Sequence, residues 1–500
     1  MVTLIFGQFK KYKRILYTIA SFVLLLQSSQ GMTQELGLDS FVSSILNNNP
    51  GVQKILSEKN IAESARDASL GINDGTLVSS LNSSHSEPNN IFGIEPNESD
   101  SLNLNLSYNR IFSDTGTRLT LGYSNLYTDR NPAAVTAGTK YYQPSFTVKL
   151  TQPLLKNAGG IQDSLNIKLS QLDFEISKLS SQENLESYIT QLSSLYVDWY
   201  LSSRELKIAT EVHQKSIQQE KLTRTKVKRQ VSEPYELLRA QEIREDYFSR
   251  LQQAQGRYTG LTHQIKYQMN PSQQSSNKII QPVNPQDSTI LSLSNNNHRE
   301  DNYLGTISRL KDILDKTNKQ QIIILQAKTN ATSSDLNLTV GYTQHNVGDV
   351  YDTSTNKNDY SVMLEYKYVL GNRSAEGAFQ VQQAKKHQIE ADTKQRLIDA
   401  KANLANLKAL SSQLKMAIKS VERKLILGNK KIKKEQYLYR IGKLDLFELL
   451  RDQTSHMESR LNKEKLFSQQ LSLQLKIGEL LDTNLENYNN LLTNNITAVK

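Results

Sequence analysis

The side chains that could carry out catalysis or bind a metal are few and scattered along the chain. There are seven His residues and no Cys, so disulfides and thiolate metal sites are excluded. The histidines show neither His-x3-His spacing nor a neighbouring carboxylate pattern; they are His85, His213, His263, His298, His345, His387 and His456. The sequence has no G-x-x-x-x-G-K-[ST] loop and no G-x-S-x-G elbow. We therefore expect no enzyme activity, no catalytic residue, no metal site and no cofactor.

One short sequence phrase that contains charged residues occurs twice in the chain. The two copies are RQVSEPYELLRAQ at 229–241 and RIGKLDLFELLRDQ at 440–453. Glu236 and Arg239 of the first copy match Glu448 and Arg451 of the second. A Glu and an Arg three residues apart on a helix can form a surface pair that contributes about 0.2–0.5 kcal/mol. Two half-chains that carry the same phrase indicate an internal duplication.

Long helical segments flank both copies of the phrase. Leu165, Leu169 and Leu172 recur every three or four residues, close to the period of a coiled-coil seam. The spacing predicts long helical hairpins at 161–268 and 373–481. A helix of about 70 residues is roughly 105 Å long. It cannot bury its apolar stripe alone, so it needs partners from the same chain or from other copies.

Two other regions change to a period of two residues. Leu102, Leu104 and Leu106 alternate with polar residues, and the same pattern predicts strands at about 76–155 and 335–370. Tyrosines near the strand ends suit the aromatic girdle of a membrane sheet. The alternative is a soluble sheet with one buried face. The signal peptide described next favours membrane strands.

The N-terminal residues have the pattern of a secretory signal. The basic residues are Lys10, Lys11, Lys13 and Arg14. An apolar run at 15–26 follows, which is too short to span a bilayer comfortably, and Ser29 and Gly31 end it with small residues. We predict a signal peptide at 1–31, with an anchor helix as the alternative. The remaining plan is a first repeat at 32–268, a polar connector at 269–302, a second repeat at 303–483 and a loose tail at 484–500.

Composition and charge exclude some functions. Hydrophobic residues make up 37% of the chain, below the usual level of about 45–50%. The net charge is +10. The Lys and Arg residues are spread along helices and are not clustered among aromatics, so we do not expect a nucleic-acid partner. Solvated helix faces or anionic lipid headgroups explain the charge better.

The order of these segments resembles that of the TolC-like outer-membrane efflux proteins, the outer membrane factors. The phrases that carry the resemblance are LDSFVSSILNNNPGVQ, SFTVKLTQPLLKNAGG, YKYVLGNRSAEGAFQ and YLYRIGKLDLFELLRDQ. The resemblance implies an internally duplicated α+β membrane protein. Three chains would share one outer-membrane β-barrel, which a long periplasmic α-helical barrel continues.

The resemblance also implies a function. The chain would be a passive exit duct of a tripartite efflux pump or a type I secretion system, exporting small molecules or polypeptides. It would lie in the outer membrane of a Gram-negative bacterium and extend into the periplasm. Its expected partners are two further copies of itself, outer-membrane lipid, a periplasmic adaptor (membrane fusion) protein, and an inner-membrane pump or ABC exporter. The alternative is a structural coiled-coil scaffold or adhesin of the envelope.

The second turn would lie at the periplasmic tip of such a duct. By position, Tyr439 matches the tip tyrosine, Gly442 matches the tip glycine, and Glu448 stands where an acidic ring residue is common. Arg451 replaces a second acidic residue that is sometimes found, so Glu448 either faces the pore or pairs with Arg451 along the helix surface. The first-half counterparts are Glu236 and Arg239, and Gln230 replaces the glycine there, so that turn must avoid a left-handed conformation or be strained.

The tip is also where an adaptor would dock. We predict that Lys443, Leu444 and Leu446 contact it together with Gly442, and the alternative is that they are ordinary turn residues. The number of strands stays open. The family has two strands in each half, whereas the first half here has three or four possible strands. Either 102–127 is an extra extracellular hairpin, or the weak stretch at 77–87 is not a barrel strand.

Overall fold

The computed structural model describes residues 34–87, 96, 98–131, 140–269, 279–291, 303–306, 308–351 and 357–485. The predicted signal peptide, much of the connector and almost all of the predicted tail lie outside these residues. The chain divides into two compact units. The helical unit contains Gln182–Ser308 and Ile398–Lys500 together with the chain before Leu56, and the sheet unit contains Leu56–Ser181 and Arg309–Leu397. Each unit therefore combines segments from both sequence repeats.

Eight α-helices are described. They are α1 Leu38–Asn48, α2 Pro50–Ser69, α3 Leu165–Lys228, α4 Pro234–Met269, α5 Tyr303–Thr306, α6 Arg309–Ala331, α7 Arg373–Arg440 and α8 Leu446–Leu480. The longest, α3 and α7, have 64 and 68 residues. Pro234 occupies the first turn of α4, where its missing N–H leaves no helical hydrogen bond unmade. Of the helices described, none is both long enough and apolar enough to cross a membrane.

The described strands form two sheets. They are β1 Gln34–Leu36, β2 Thr76–Ser86, β3 Glu98–Phe112, β4 Thr117–Asn131, β5 Lys140–Pro153, β6 Ile280–Pro282, β7 Asp335–His345 and β8 Lys357–Lys367. In the helical unit, β1 and β6 pair in parallel. In the sheet unit, six strands pair antiparallel in the order β2-β3-β4-β5-β7-β8. The weak pattern at 77–87 thus belongs to a paired strand, and this sheet has six strands among the described residues.

The turn between β3 and β4 lies at the end of the sheet where the helices join it. Ser113 N–H donates to Asn73 Oδ1 at 3.0 Å, just before β2 begins. Gly160, between β5 and α3, approaches so closely that an added Cβ would lie 1.8 Å from the Ser113 carbonyl oxygen. The alternative of an extra extracellular hairpin at 102–127 is therefore wrong, because the sheet contains both of these strands and holds their turn at its helix end.

Each of the two junctions between a strand and a long helix contains an asparagine in the left-handed backbone conformation. Asn157 after β5 and Asn372 after β8 have positive φ angles of 63° and 29°. Asn157 N–H donates to Asn330 Oδ1 at 2.8 Å, and Asn372 Nδ2 donates to the Thr332 carbonyl oxygen at 3.0 Å. Asn tolerates the left-handed region better than most residues. Both junctions are thus fastened to the end of α6.

The core of the helical unit lies around the only Trp of the chain. Trp199 is fully buried, and its indole N–H donates to Thr262 Oγ1 at 2.8 Å. Tyr196 packs edge-on against it, with ring centroids 5.6 Å apart. The Tyr196 hydroxyl donates to the Leu36 carbonyl oxygen at 2.6 Å and accepts from Val283 N–H at 3.0 Å. These bonds attach the small parallel sheet to α3.

Candidate functional site

The two copies of the repeated phrase form matching turns, one between α3 and α4 and one between α7 and α8. Gln230 and Gly442 occupy the equivalent left-handed position, with φ angles of 58° and 76°. The hydrogen bonds are Gln230 N to Val227 O (2.9 Å), Val231 N to Lys226 O (3.0 Å), Gly442 N to Tyr439 O (3.1 Å) and Lys443 N to Leu438 O (2.9 Å). This pair of bonds defines a Schellman motif, which ends a helix by satisfying its last carbonyl groups. The first turn is therefore the strained one, because Gln has a Cβ.

Tyr439 joins the second hairpin to the first. Its side chain is buried, and its hydroxyl lies 3.0 Å from Thr223 Oγ1 of α3. Lys226 Nζ donates to the Tyr439 carbonyl oxygen and lies 3.5 Å from the centroid of the Tyr439 ring. Burial raises the pKa of the Tyr439 phenol and lowers the pKa of the Lys226 ammonium group. Three contacts of different kinds thus connect the ends of α3 and α7.

A small apolar core lies directly behind this contact. Its buried members are Ala240, Tyr439, Leu446, Leu449 and Leu450, and Leu222, Ile243 and Leu444 pack against them. Leu446 is 0% exposed, and Leu444 is only partly exposed. Of the residues predicted to contact an adaptor, Lys443 and Gly442 are exposed, whereas the two leucines support the turn from inside.

Several apolar side chains near the turns are exposed, and the sequence analysis did not single them out. On the first hairpin they are Val231, Tyr235 and Leu238, and on the second they are Ile441 and Phe447. Their sequence signal was available, since Tyr235, Leu238 and Phe447 fall inside the repeated phrase. They leave both turns with an apolar as well as a basic surface.

The matched Glu and Arg residues make different contacts in the two copies. Glu448 and Arg451 are about half exposed, and their side chains approach to 3.9 Å. The Arg239 guanidinium instead lies 4.7 Å from the centroid of the Phe447 ring, so it contacts the other hairpin. Glu236 accepts a hydrogen bond from the serine four residues before it. The matched residues thus form one local ion pair in the second copy and one contact between hairpins in the first.

A buried carboxylate, Glu220, lies ten residues before Gln230 of the first turn and pairs with two arginines. Glu220 lies 2.5 Å from Arg224 Nη2 and 2.7 Å from Arg244 Nη1. These cations, Arg224 above all, lower the pKa of Glu220. The spacing of four residues between Glu220 and Arg224 was visible in the sequence, but Arg244 comes from α4 and could be placed only by the fold. The cluster fastens α4 to α3.

The second hairpin has a comparable group. Lys431 Nζ lies 3.4 Å from Glu435 Oε1 and also pairs with Asp452 of α8. Burial raises the pKa of Glu435, whereas the bond to Lys431 lowers the pKa of Asp452. Lys431 therefore connects α7 to α8 through Asp452, while Glu435 pairs with it from the same helix.

The described clusters at the two turns connect neighbouring helices. Across the described part of the chain, no group of three or more His, Asp or Glu side chains could hold a metal ion. The clusters at the turns are ion pairs, hydrogen bonds and apolar contacts. Their chemistry is to hold two helical hairpins together.

Comparisons with known proteins identify this architecture. No protein-family model matches the sequence, and no curated protein matches it significantly. Solved structures do match. The CmeC outer membrane channel of Campylobacter jejuni is 11% identical with a TM-score of 0.64, covering 92% of this chain and 88% of that chain. The outer membrane protein VceC of Vibrio cholerae is 11% identical with a TM-score of 0.64, covering 89% of this chain and 95% of that chain.

A third match is the MtrE outer membrane channel of Neisseria gonorrhoeae in its open state, which is 11% identical with a TM-score of 0.64 and covers 90% of this chain and 89% of that chain. At such low identity the likeness establishes the fold. The resemblance drawn from the order of segments is confirmed at that level. The chain has the fold of the TolC-like outer-membrane channels.

Proposed function

We propose that the protein is a passive exit duct of a Gram-negative envelope. Three copies span the outer membrane with their strands and the periplasm with their long helices. The duct serves a tripartite efflux pump or a type I secretion system. The observation that carries the proposal is the likeness to outer-membrane channels over about nine-tenths of the chain.

Two features of the structure support this function. The strands of the large sheet have 11 to 15 residues, enough to cross a bilayer when tilted. Helix α7, with 68 residues, is about 100 Å long, which suits a duct across the periplasm. A coiled-coil scaffold or adhesin would need such helices but has no use for a six-stranded sheet.

The duct has no energy source of its own in this proposal. The described turns hold ion pairs and apolar contacts and no catalytic cluster. An inner-membrane pump or ABC exporter supplies the energy, and a periplasmic adaptor connects it to the duct.

The function is tested by fractionation and by deletion of the gene. We expect the protein in the outer membrane as an oligomer that resists SDS at room temperature and runs as a monomer after boiling. Deletion should sensitise cells to small toxic compounds or abolish secretion of a polypeptide, and the affected cargo identifies the system. Recovery only as a detergent-labile protein outside the outer membrane, with both phenotypes absent, would exclude an exit duct.

We further propose that the two turns form the closed periplasmic tip. The contacts of Tyr439 with Thr223 and Lys226 hold the hairpins together, so they must break or rearrange before the tip widens. In this proposal Glu448 contributes to the entrance while its pairing with Arg451 reduces its effect as a negative ring.

Removal of this connection should open the tip. The double variant Thr223→Val with Lys226→Met loses the hydrogen bond from α3 and the cation, while Tyr439 and the apolar core remain. We expect a higher single-channel conductance in planar bilayers than for the unaltered protein. Lys228→Met, an exposed change two residues away, is the matched control. Unchanged conductance in the double variant would rule out this gate.

A further inference from the structure

The large sheet has two outer edges that pair with nothing in the described chain. Strand β2 is bonded only to β3, and β8 is bonded only to β7. Every residue of β8 is exposed, with Val362 at 75% and Leu364 at 64%. On β2, Leu77 and Leu81 are 74% and 64% exposed. Both edges thus present unpaired backbone and bare apolar side chains.

The two edges match each other in length and direction. Strands β2 and β8 each have 11 residues, whereas β3 and β4 have 15. All five pairings in the sheet are antiparallel. The first and sixth strands therefore run in opposite directions. If β8 of one copy lies beside β2 of another, the antiparallel pattern continues without interruption.

The membrane makes an open edge costly. Unpaired N–H and C=O groups find no water in the hydrocarbon region, so each one destabilises an open edge there. Six strands are fewer than the eight of the smallest known single-chain membrane barrels. This step rests on the proposed outer-membrane function. The occupant of each edge must then be another copy of the same chain.

We propose that β2 of each copy pairs with β8 of the next copy, so that three copies of the six-stranded sheet close an 18-stranded barrel. The four-strand pattern of the family would give a barrel of only 12 strands from three copies. The extra strands are built into the sheet. Strand β3 pairs with β4 along its whole length, and the turn between them is held by Asn73 and packed against Gly160.

Disulfide cross-linking tests this seam directly, because the chain has no Cys of its own. Two differently tagged copies are co-expressed, one with Ser80→Cys on β2 and the other with a Cys at Asp359, Ser361 or Met363 on β8. These β8 positions share one face, so the scan covers successive registers. A second set at Tyr360, Val362 and Leu364 covers the other face. We expect a disulfide between copies with different tags, strongest at one register.

The positive control lies within one copy. Ser84 and Ser101 are partners across β2 and β3, with their hydroxyl oxygens 2.7 Å apart. The double variant Ser84→Cys with Ser101→Cys should form an intramolecular disulfide and leave trimer formation and export intact. It also keeps β2 in the sheet, so it should preserve the cross-link between copies.

Three outcomes would overturn the seam. If the β2–β3 hairpin leaves the barrel, Ser124→Cys on β4 cross-links to β8 of another copy, and the barrel has 12 strands. A disulfide between β2 and β8 of the same copy would show a sheet that closes on itself. SDS-resistant, exporting trimers with no cross-link at any position would reject the seam and leave the exit duct standing. The opposite result is also possible to distinguish. If the cross-linked trimers form but deletion of the gene causes no export defect, the proposed function is contradicted and the seam stands.

Discussion

At the scale of single residues, the two turns differ most at the left-handed position. Gly442 adopts φ of 76° without strain, and open space surrounds it. Gln230 adopts φ of 58° with the same two hydrogen bonds. The sequence alone predicted that Gln230 must either avoid this conformation or be strained, and the structure shows the second outcome. A left-handed non-glycine residue costs about 1–2 kcal/mol.

Exchanging these residues should move the stability of the two helix ends in opposite directions. Gln230→Gly removes the strain, and Gly442→Gln introduces it. Because glycine also has more conformational freedom in the unfolded chain, we expect each local stability to change by about 1 kcal/mol. Amide hydrogen exchange at the end of α3 should slow about fivefold in the first variant. Exchange at the end of α7 should accelerate by a similar factor in the second. Exchange rates that match those of the unaltered protein in both variants would show that the Schellman motifs do not limit local opening of the helix ends.

At the scale of elements, the sequence predicted strands best where alternation was strict. The run Leu102, Leu104, Leu106 predicted a strand that the structure has as β3. The residues of β2 gave only a weak pattern, because Ser and Asn occupy much of a strand that is exposed on both faces. Its pairing with β3 comes from the register of the sheet, which single-strand periodicity does not contain.

The junction between β5 and α3 provides a sharp test of how the β3–β4 turn is held. Gly159 and Gly160 have φ angles of 67° and 64°, so alanine is strained at both positions. Only at Gly160 does the added Cβ meet another atom, the Ser113 carbonyl oxygen at 1.8 Å, and Gly159 has nothing within 4 Å. Gly159→Ala should therefore cost about 1–2 kcal/mol. Gly160→Ala should cost clearly more, because the turn must also move.

Circular dichroism during heating measures this difference. The strand signal of Gly160→Ala should be lost at a distinctly lower temperature than that of Gly159→Ala. Similar melting of the two variants would mean that the turn can leave the junction freely, which would also weaken the case for six barrel strands.

At the scale of the whole molecule, the order of segments was enough to predict the fold, because duplication and alternating periods survive where identity has fallen to 11–13%. The contacts at the turns were not predictable in the same way. The pairing of Arg244 with Glu220, and of Arg239 with Phe447, joins residues from different helices. Such pairs depend on helix packing, which the sequence specifies only through its apolar stripes.

Assembly with an adaptor should depend on the exposed part of the turns. Charge reversal at Lys443 changes the surface of the second turn without touching the core formed by Leu446. For the proposed duct, we expect Lys443→Glu to reduce chemical cross-linking to the proposed periplasmic adaptor in intact cells. Lys433→Glu, a charge reversal at another exposed lysine ten residues earlier in the chain, is the control. Equal cross-linking in both variants would remove this turn from the docking surface.

The position of the β3–β4 turn also limits how the number of strands in such a chain can evolve. Because it returns the chain to the helix end of the sheet, a whole inserted hairpin leaves β5 running toward α3, as before. A single inserted strand would place the start of the 64-residue helix at the opposite end of the sheet. In the proposed trimer, the number of barrel strands can therefore increase during evolution only in steps of six. In the proposed duct, pore width and helix length can then diverge independently, so the outer opening can be altered while the proposed partner-binding turns are preserved.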